Sequence, residues 1–184
     1  MPMRDLPPDL ARLSLDEVRA AIAARRLPPV ESWHPERGGD SEMRIAADGN
    51  WFHQGDPIRR PAMVRLFSTI LRREPDGSFV LVTPAEKLSI AVEDAPFVAV
   101  EVRSEGERAT RRLAFRLNTD DVTIAGPDHR LIARGEGALY LNVRGGLEAR
   151  VARGPWYELA ELAIEEGADP PGLWSDGVFF ALQP

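Results

Sequence analysis

Residues 43–83, MRIAADGNWFHQGDPIRRPAMVRLFSTILRREPDGSFVLVT, decide the fold. Two short apolar runs flank Asp48-Gly49, a dipeptide suited to a tight hairpin because glycine accepts positive φ. Pro61 suits a first helical turn, where its missing N–H costs nothing. Met63, Val64, Leu66, Phe67, Ile70 and Leu71 follow at helical spacing, and EPDG ends the element before the strand-like SFVLVT. The order is strand, glycine turn, strand, arginine-rich corner, proline-started helix, loop, strand.

That order returns in residues 139–183, LYLNVRGGLEARVARGPWYELAELAIEEGADPPGLWSDGVFFALQ, with Gly145 in the place of Gly49 and Pro155 in the place of Pro61. Identity is low, so the match rests on element order and punctuation. It predicts an α+β fold of duplicated strand-strand-helix-strand units. From residue 78 to about 143, SFVLVT, KLSIAV, PFVAVEV, RLAFRL, DVTIA, RLIA and ALYLNV read as mostly antiparallel strands, punctuated by Gly, Pro, Asp and Asn. A helix from Pro155 to about Glu166 and a final strand, GVFFALQ, close the chain.

Upstream, Ser14 and Glu17 have capping-box spacing, and Leu15, Val18 and Ile22 share one helical face until RRLPP stops it. Residues 27–42 read as an extended connector carrying Trp33 and His34. The expected organisation is residues 1–42 as short helix and connector, 43–97 as a first α+β unit, and 98–184 as a second, β-rich unit ending in helix and strand.

The chain has 184 residues, 43% apolar and 28% charged, which is the ordinary range for a soluble globular protein. MPMRDLPPDL lacks the apolar run of a signal peptide, and charges interrupt every apolar stretch. Zero cysteines exclude disulfides and thiol chemistry and fit a reducing cytoplasm, the expected location. A net charge of −6 argues against nucleic acid or an anionic membrane as partner. The charge is uneven: five arginines and no acid lie between Arg59 and Arg73, and nothing after Arg153 is basic.

Both expected helices are preceded by arginines, Arg59 and Arg60 before the first and Arg150 and Arg153 before the second. Cations are disfavoured at a helix N-terminus, so something anionic should sit opposite. A local carboxylate such as Asp56 or Glu148 would serve, and so would an anionic ligand. Phosphate-loop, dinucleotide, serine-hydrolase and zinc-protease motifs are missing, and His34, His53 and His129 have no metal spacing, so no metal or cofactor is expected. His53 reads either as a general base or as a backbone-bonded strand histidine. Trp51 reads as core or as a stacking surface. Glu86 and Asp94 suggest a carboxylate pair, although strand-end carboxylates are usually solvated. Lys87 is read as surface or as a ligand contact.

Several stretches resemble the uncharacterised bacterial domain-of-unknown-function family 1285. DGNWFHQGDPIRRPAMVRLF, LVTPAEK and VEDAPFVAV resemble its first signature, and GPDHRLIA, LYLNVRGGLEARV and GLWSDGVFF its C-terminal one. Arg130 stands where the family usually has proline after Asp-His. The resemblance implies a duplicated core whose C-terminal half is superficially pleckstrin-homology-like. It further implies a ligand, nucleotide-based in kind, between the halves, and a role in signal transduction without established catalysis. Matching positions would be Trp51, His53, Arg59, Arg60, Thr83, Glu86, Lys87, Asn118, Asp128, His129, Tyr140, Arg144, Glu148 and Arg150. The expected function is a non-catalytic sensor or adaptor for a small anion, with a protein partner in signalling. The alternatives are a small enzyme using His53 or His129 as base, and a protein-interaction module.

Overall fold

The structure is a computed structural model and describes residues 14–184. The expected polar leader, residues 1–13, lies outside the described residues. Helix α1 (Leu15–Ala24) begins with the expected capping box: Ser14 accepts from the Glu17 amide, and Glu17 returns a bond to the Ser14 amide. Leu15 and Val18 are buried, and with Ala114, Val122 and Ile124 they form a small apolar cluster of their own, against which Ile22 packs.

Six strands and one helix form the first half: β1 (Gly38–Ile45), β2 (Trp51–His53), β3 (Asp56–Pro57), α2 (Pro61–Thr69), β4 (Leu71–Arg73), β5 (Phe79–Val82) and β6 (Lys87–Val92). Six more form the second: β7 (Phe97–Glu105), β8 (Arg112–Leu117), β9 (Val122–Ile124), β10 (Leu131–Arg134), β11 (Ala138–Arg144) and β12 (Leu147–Val151). Helix α3 (Arg153–Glu166) and a ribbon, β13 (Gly172–Ser175) with β14 (Val178–Ala181), complete the chain. The connector expected to reach residue 42 is shorter, because β1 already pairs from Gly38. Strands β3, β4 and β13 are additional to those expected.

Strand order is β3-β2-β1-β6-β5-β4 in one sheet and β10-β11-β12-β7-β8-β9 in the other. Each sheet is two antiparallel meanders joined by one parallel pair, β1 with β6 and β7 with β12. The fold is therefore an α+β duplication, and hydrogen bonding sets its register as β1–β6 onto β7–β12. Matching Gly49 with Gly145 captures a recurring element order but not this equivalence. The Gly49 turn joins first and second strands, whereas Gly145 and Gly146 join fifth and sixth. Helix α2 lies between the third and fourth strands; α3 instead follows the sixth and packs on β7 and β13.

One core serves both halves: Ile45, Trp51, Leu71 and Leu81 from the first sheet pack in the same cluster as Phe97, Phe115, Leu139 and Leu141 from the second. The seam is keyed by the Asp48-Gly49 turn. The Asn118 amide donates to the Gly49 carbonyl at 3.2 Å while its oxygen accepts from the Val98 N–H at 3.0 Å. Gly49 has φ of 88°, and a Cβ there would lie 2.8 Å from both Asn118 Nδ2 and Val98 Cγ2. Backbone strain and this collision act together, so Gly49→Ala should cost about 2 kcal/mol or more. The measurement is the denaturant midpoint; an unchanged midpoint refutes the keyed seam.

The α3 terminus is tied down separately. Buried Arg111 pairs with Glu166, whose Oε1 also accepts from the Arg108 N–H at 2.9 Å. Burial alone raises the Glu166 carboxyl, but the Arg111 and Arg108 hydrogen bonds and charges outweigh it and leave the group lowered. A lowered carboxylate stabilises the fold above the ordinary carboxylate range and loses that contribution as pH falls through its folded pKa. Unfolding free energies of wild type and Glu166→Gln should thus converge in acid. A gap independent of pH contradicts this role.

Candidate functional site

A cavity of about 350 Å³ lies where α1, the β8–β9 turn and the end of β11 meet. Its position follows from local chemistry. RRLPP ends α1 and leaves Arg25 as its extended C-cap. NTDD (118–121) turns β8 into β9 and buries Asp121, which is 7% exposed. The β11 meander ends with Arg144 directed back toward the first half.

Asp121 is the centre of the charge arrangement. One carboxylate oxygen pairs with Arg25; the other accepts from Thr119 Oγ1 at 3.1 Å and lies 3.9 Å from Arg144 Nη1. Arg144 also donates to the Ser68 carbonyl in the last turn of α2 at 2.8 Å, and its guanidinium lies 5.2 Å from the Phe97 ring centroid. A helix C-terminal carbonyl and an aromatic face are both good partners for a cation. Burial lowers the Arg25 pKa, with Arg144 adding to the effect, and burial likewise lowers that of Arg144. Both remain guanidinium ions. Arg19 and Asp176 pair at 2.8 Å on the rim and cancel each other. The remaining lining charges are thus two arginines against one carboxylate, above an apolar wall of Ile22, Val122, Ile124 and Val143.

A second cavity, of about 530 Å³, opens at the seam near Arg72, Arg73 and the Gly145-Gly146 turn. Its arginines are committed. Arg72 bonds Glu74 and the carbonyls of Val30 and Trp33, and Arg73 donates to the Gly146 carbonyl. Glu31 and Glu74 balance the two arginines on this cavity's wall.

The residues expected at one ligand site are distributed over several places. His129 and Arg144 line the first cavity, His129 with Nδ1 3.3 Å from the Asn142 carbonyl. Tyr140 and Arg150 converge on Asp94, at 2.7 and 3.0 Å, while Glu148 holds Arg134 through both carboxylate oxygens. Burial and the Asp94 hydrogen bond raise the Tyr140 hydroxyl. Asn118 belongs to the seam. Trp51 is a core residue, 2% exposed and stacked with Phe67 at 6.4 Å between centroids, so no planar ligand reaches its face. Thr83 caps its own turn, Glu86 lies 3.7 Å from Arg37, and Lys87 lies 3.9 Å from Glu74. Glu86 and Asp94 flank opposite ends of β6 and make no carboxylate pair. His53, Arg59, Arg60 and Asp128 are exposed.

The anion opposite Arg150 is therefore Asp94, neither Asp56 nor Glu148. Arg25 and Asp121 complete the cavity but were not expected there, because RRLPP reads as a helix stop and NTDD as a turn. Among the described residues, no three His, Asp or Glu side chains gather as a metal site requires, and no helix is long and apolar enough to cross a membrane.

Comparison with curated proteins finds no match. A crystal structure of a DUF1285 family protein from Silicibacter pomeroyi DSS-3 is similar to this chain, with 46% identity and a TM-score of 0.77 over 90% of this chain and 94% of that one. A second, from Shewanella baltica OS155, has 22% identity and a TM-score of 0.51 over 68% of this chain and 92% of that one, a likeness of fold alone. Residues 28–95 match the N-terminal domain of the domain of unknown function DUF1285, and residues 96–182 match the C-terminal domain. With both of its domains matched in order, the chain belongs to the DUF1285 family.

Proposed function

We propose that this chain is a non-catalytic cytoplasmic sensor or adaptor that binds a small anionic ligand in the cavity under α1. The observation that carries the reading is the charge surplus: Arg25 and Arg144, both largely withdrawn from water, share the single carboxylate of Asp121. A carboxylate or phosphate group would complete their coordination through paired N–H donors. The apolar wall would cover an uncharged body, and the volume is at the small end of the usual range for ligand pockets. A surplus of one positive charge favours a monoanion. A cyclic nucleotide, whose phosphodiester carries a single charge, is the nucleotide form that matches it.

Arg144 reaches the first half through Ser68, and Arg25 belongs to α1, so an occupant would touch three parts of the fold at once. That arrangement suits a sensor, because α1 rests on a small apolar cluster separate from the main core. The absence of cysteine supports a reducing compartment. Among the described residues neither His53 nor His129 hydrogen-bonds a carboxylate, the arrangement that the enzyme alternative requires.

Thermal-shift measurements with phosphate, short apolar carboxylates, nucleoside monophosphates and cyclic nucleotides test the reading. A ligand at about one hundred times its Kd should raise Tm by roughly 5–10 °C. Arg144→Gln should abolish the shift, whereas Arg150→Ala, at a residue already paired with Asp94, should retain it. No shift with any class, or equal shifts in wild type and Arg144→Gln, would refute the reading.

Asp121→Asn offers an independent check. Removing the shared carboxylate leaves two guanidinium ions without their counter-charge and should destabilise the protein by about 2 kcal/mol. The same variant should be stabilised by sulfate more strongly than wild type is, since the anion then replaces the lost carboxylate. Equal sulfate dependence in the two proteins contradicts the charge surplus.

A further inference from the structure

The arginine-rich and arginine-free stretches of the sequence end on two exposed helix faces of opposite character. Arg59 and Arg60 lead into α2, and Met63 and Leu66 follow, 38% and 63% exposed. Helix α3 turns Tyr157, Glu158, Glu161, Ile164 and Glu165 outward, with Tyr157 56% and Ile164 77% exposed. Leu66, Tyr157 and Ile164 are the most exposed large apolar side chains among the described residues. Among the same residues, the side chains of Arg59, Arg60, Glu158, Glu161 and Glu165 have no hydrogen-bond or ion-pair partner.

Both helices also carry the wrong charge at one end. The positive N-terminus of α2 has arginines and no acid in its first turn. The negative C-terminus of α3 has Glu165 and no base in its last turn. Arg111 answers Glu166 at that end of α3, which leaves Glu165 and Glu161 for the arginines of α2, and these acids supply the charge that the α2 N-terminus lacks.

We propose that α2 of one copy docks antiparallel on α3 of a second copy of this chain. Arg60 then lies level with Glu165 and one turn from Glu161, and Met63 and Leu66 seat between Ile164 and Tyr157. The spacings fit: at 1.5 Å per residue, Met63 to Leu66 spans about 4.5 Å and is accommodated within the roughly 10 Å from Tyr157 to Ile164. The antiparallel orientation brings the arginines to the acidic end of α3 and the exposed apolar residues of the two helices alongside one another. A second copy is the occupant because it presents the complementary face. A membrane or nucleic acid would meet a chain with a net charge of −6. In a closed twofold pair this contact occurs twice.

Sedimentation velocity up to ~0.2 mM protein, at about 0.05 M and 0.5 M salt, reads the result directly. The wild type should exceed monomer mass at low salt and dissociate as salt rises. The double reversals Arg59→Glu/Arg60→Glu and Glu161→Arg/Glu165→Arg should each weaken self-association roughly tenfold or more. All four positions are exposed, and circular dichroism verifies that each variant remains folded. An equimolar mixture of the two variants should reassociate, because each α2 then again faces an α3 of opposite charge. A wild type that stays monomeric, reversals without effect, or a mixture that fails to reassociate overturns the proposal.

Discussion

A guanidinium ion withdrawn from water must be surrounded by acceptors, and Arg144 obtains its partners from three separate parts of the chain. The Ser68 carbonyl comes from α2, the Phe97 ring from β7, and the Asp121 carboxylate from the β8–β9 turn, where it is shared with Arg25 of α1. None of these partners is near Arg144 in sequence. The Ser68 bond requires that the two sheets already lie against one another, and the sharing of Asp121 with Arg25 requires α1 in place. The common core supplies that condition by burying Ile45, Trp51 and Leu81 together with Phe97, Phe115 and Leu141. Hydrophobic packing is non-directional. The Asn118 clamp on the Gly49 turn and the Arg144 bond to Ser68 give the packed halves one relative position.

The local parts of this design are legible in the sequence, and the non-local parts are not. Ser14 and Glu17 announce α1, Asp48-Gly49 announces a hairpin, and Pro61 opens α2, because each signal acts within a few residues. The duplication is visible as repeated punctuation, but its register depends on which strands exchange hydrogen bonds. Parallel pairing of β1 with β6 joins residues about fifty apart, and no local pattern records it. β3, of two residues, and β4, of three, are too short to show a period. Among the candidate ligand residues, His129 and Arg144 reach the cavity, whereas Trp51 serves the core and Glu148 holds Arg134. Arg25 and Asp121 were hidden because both occupy segments whose local chemistry, a helix stop and a turn, already accounts for them.

The arginine-rich stretch separates into different uses once the fold is known. Arg72 is buried and saturated by Glu74 and two carbonyls, Arg65 pairs with Asp120, and Arg73 bridges to Gly146 across the seam. These three contacts hold a basic segment against an acidic chain without a ligand. A run of like charges is thus weak evidence for a binding site. The stronger sign is a small cluster in which buried charges do not balance, as around Asp121. Charge reversal at a committed arginine would disturb packing, whereas reversal at Arg59 or Arg60 touches no internal partner.

Helix α2 links these considerations physically. At nine residues it is too short to persist alone, so its position is set by what it packs against. Its inner side carries Phe67 onto Trp51 and presents the Ser68 carbonyl to Arg144, while its outer side presents Met63 and Leu66 to solvent. A displacement of α2 lengthens the 2.8 Å bond to Arg144 and frees that guanidinium to turn further toward the cavity. Conversely, an anion bound as proposed would draw Arg144 inward and loosen α2 at its last turn. A contact on the outer face of α2 that displaced the helix would therefore be coupled to the charge arrangement around Asp121, and linkage would make that coupling equal in both directions.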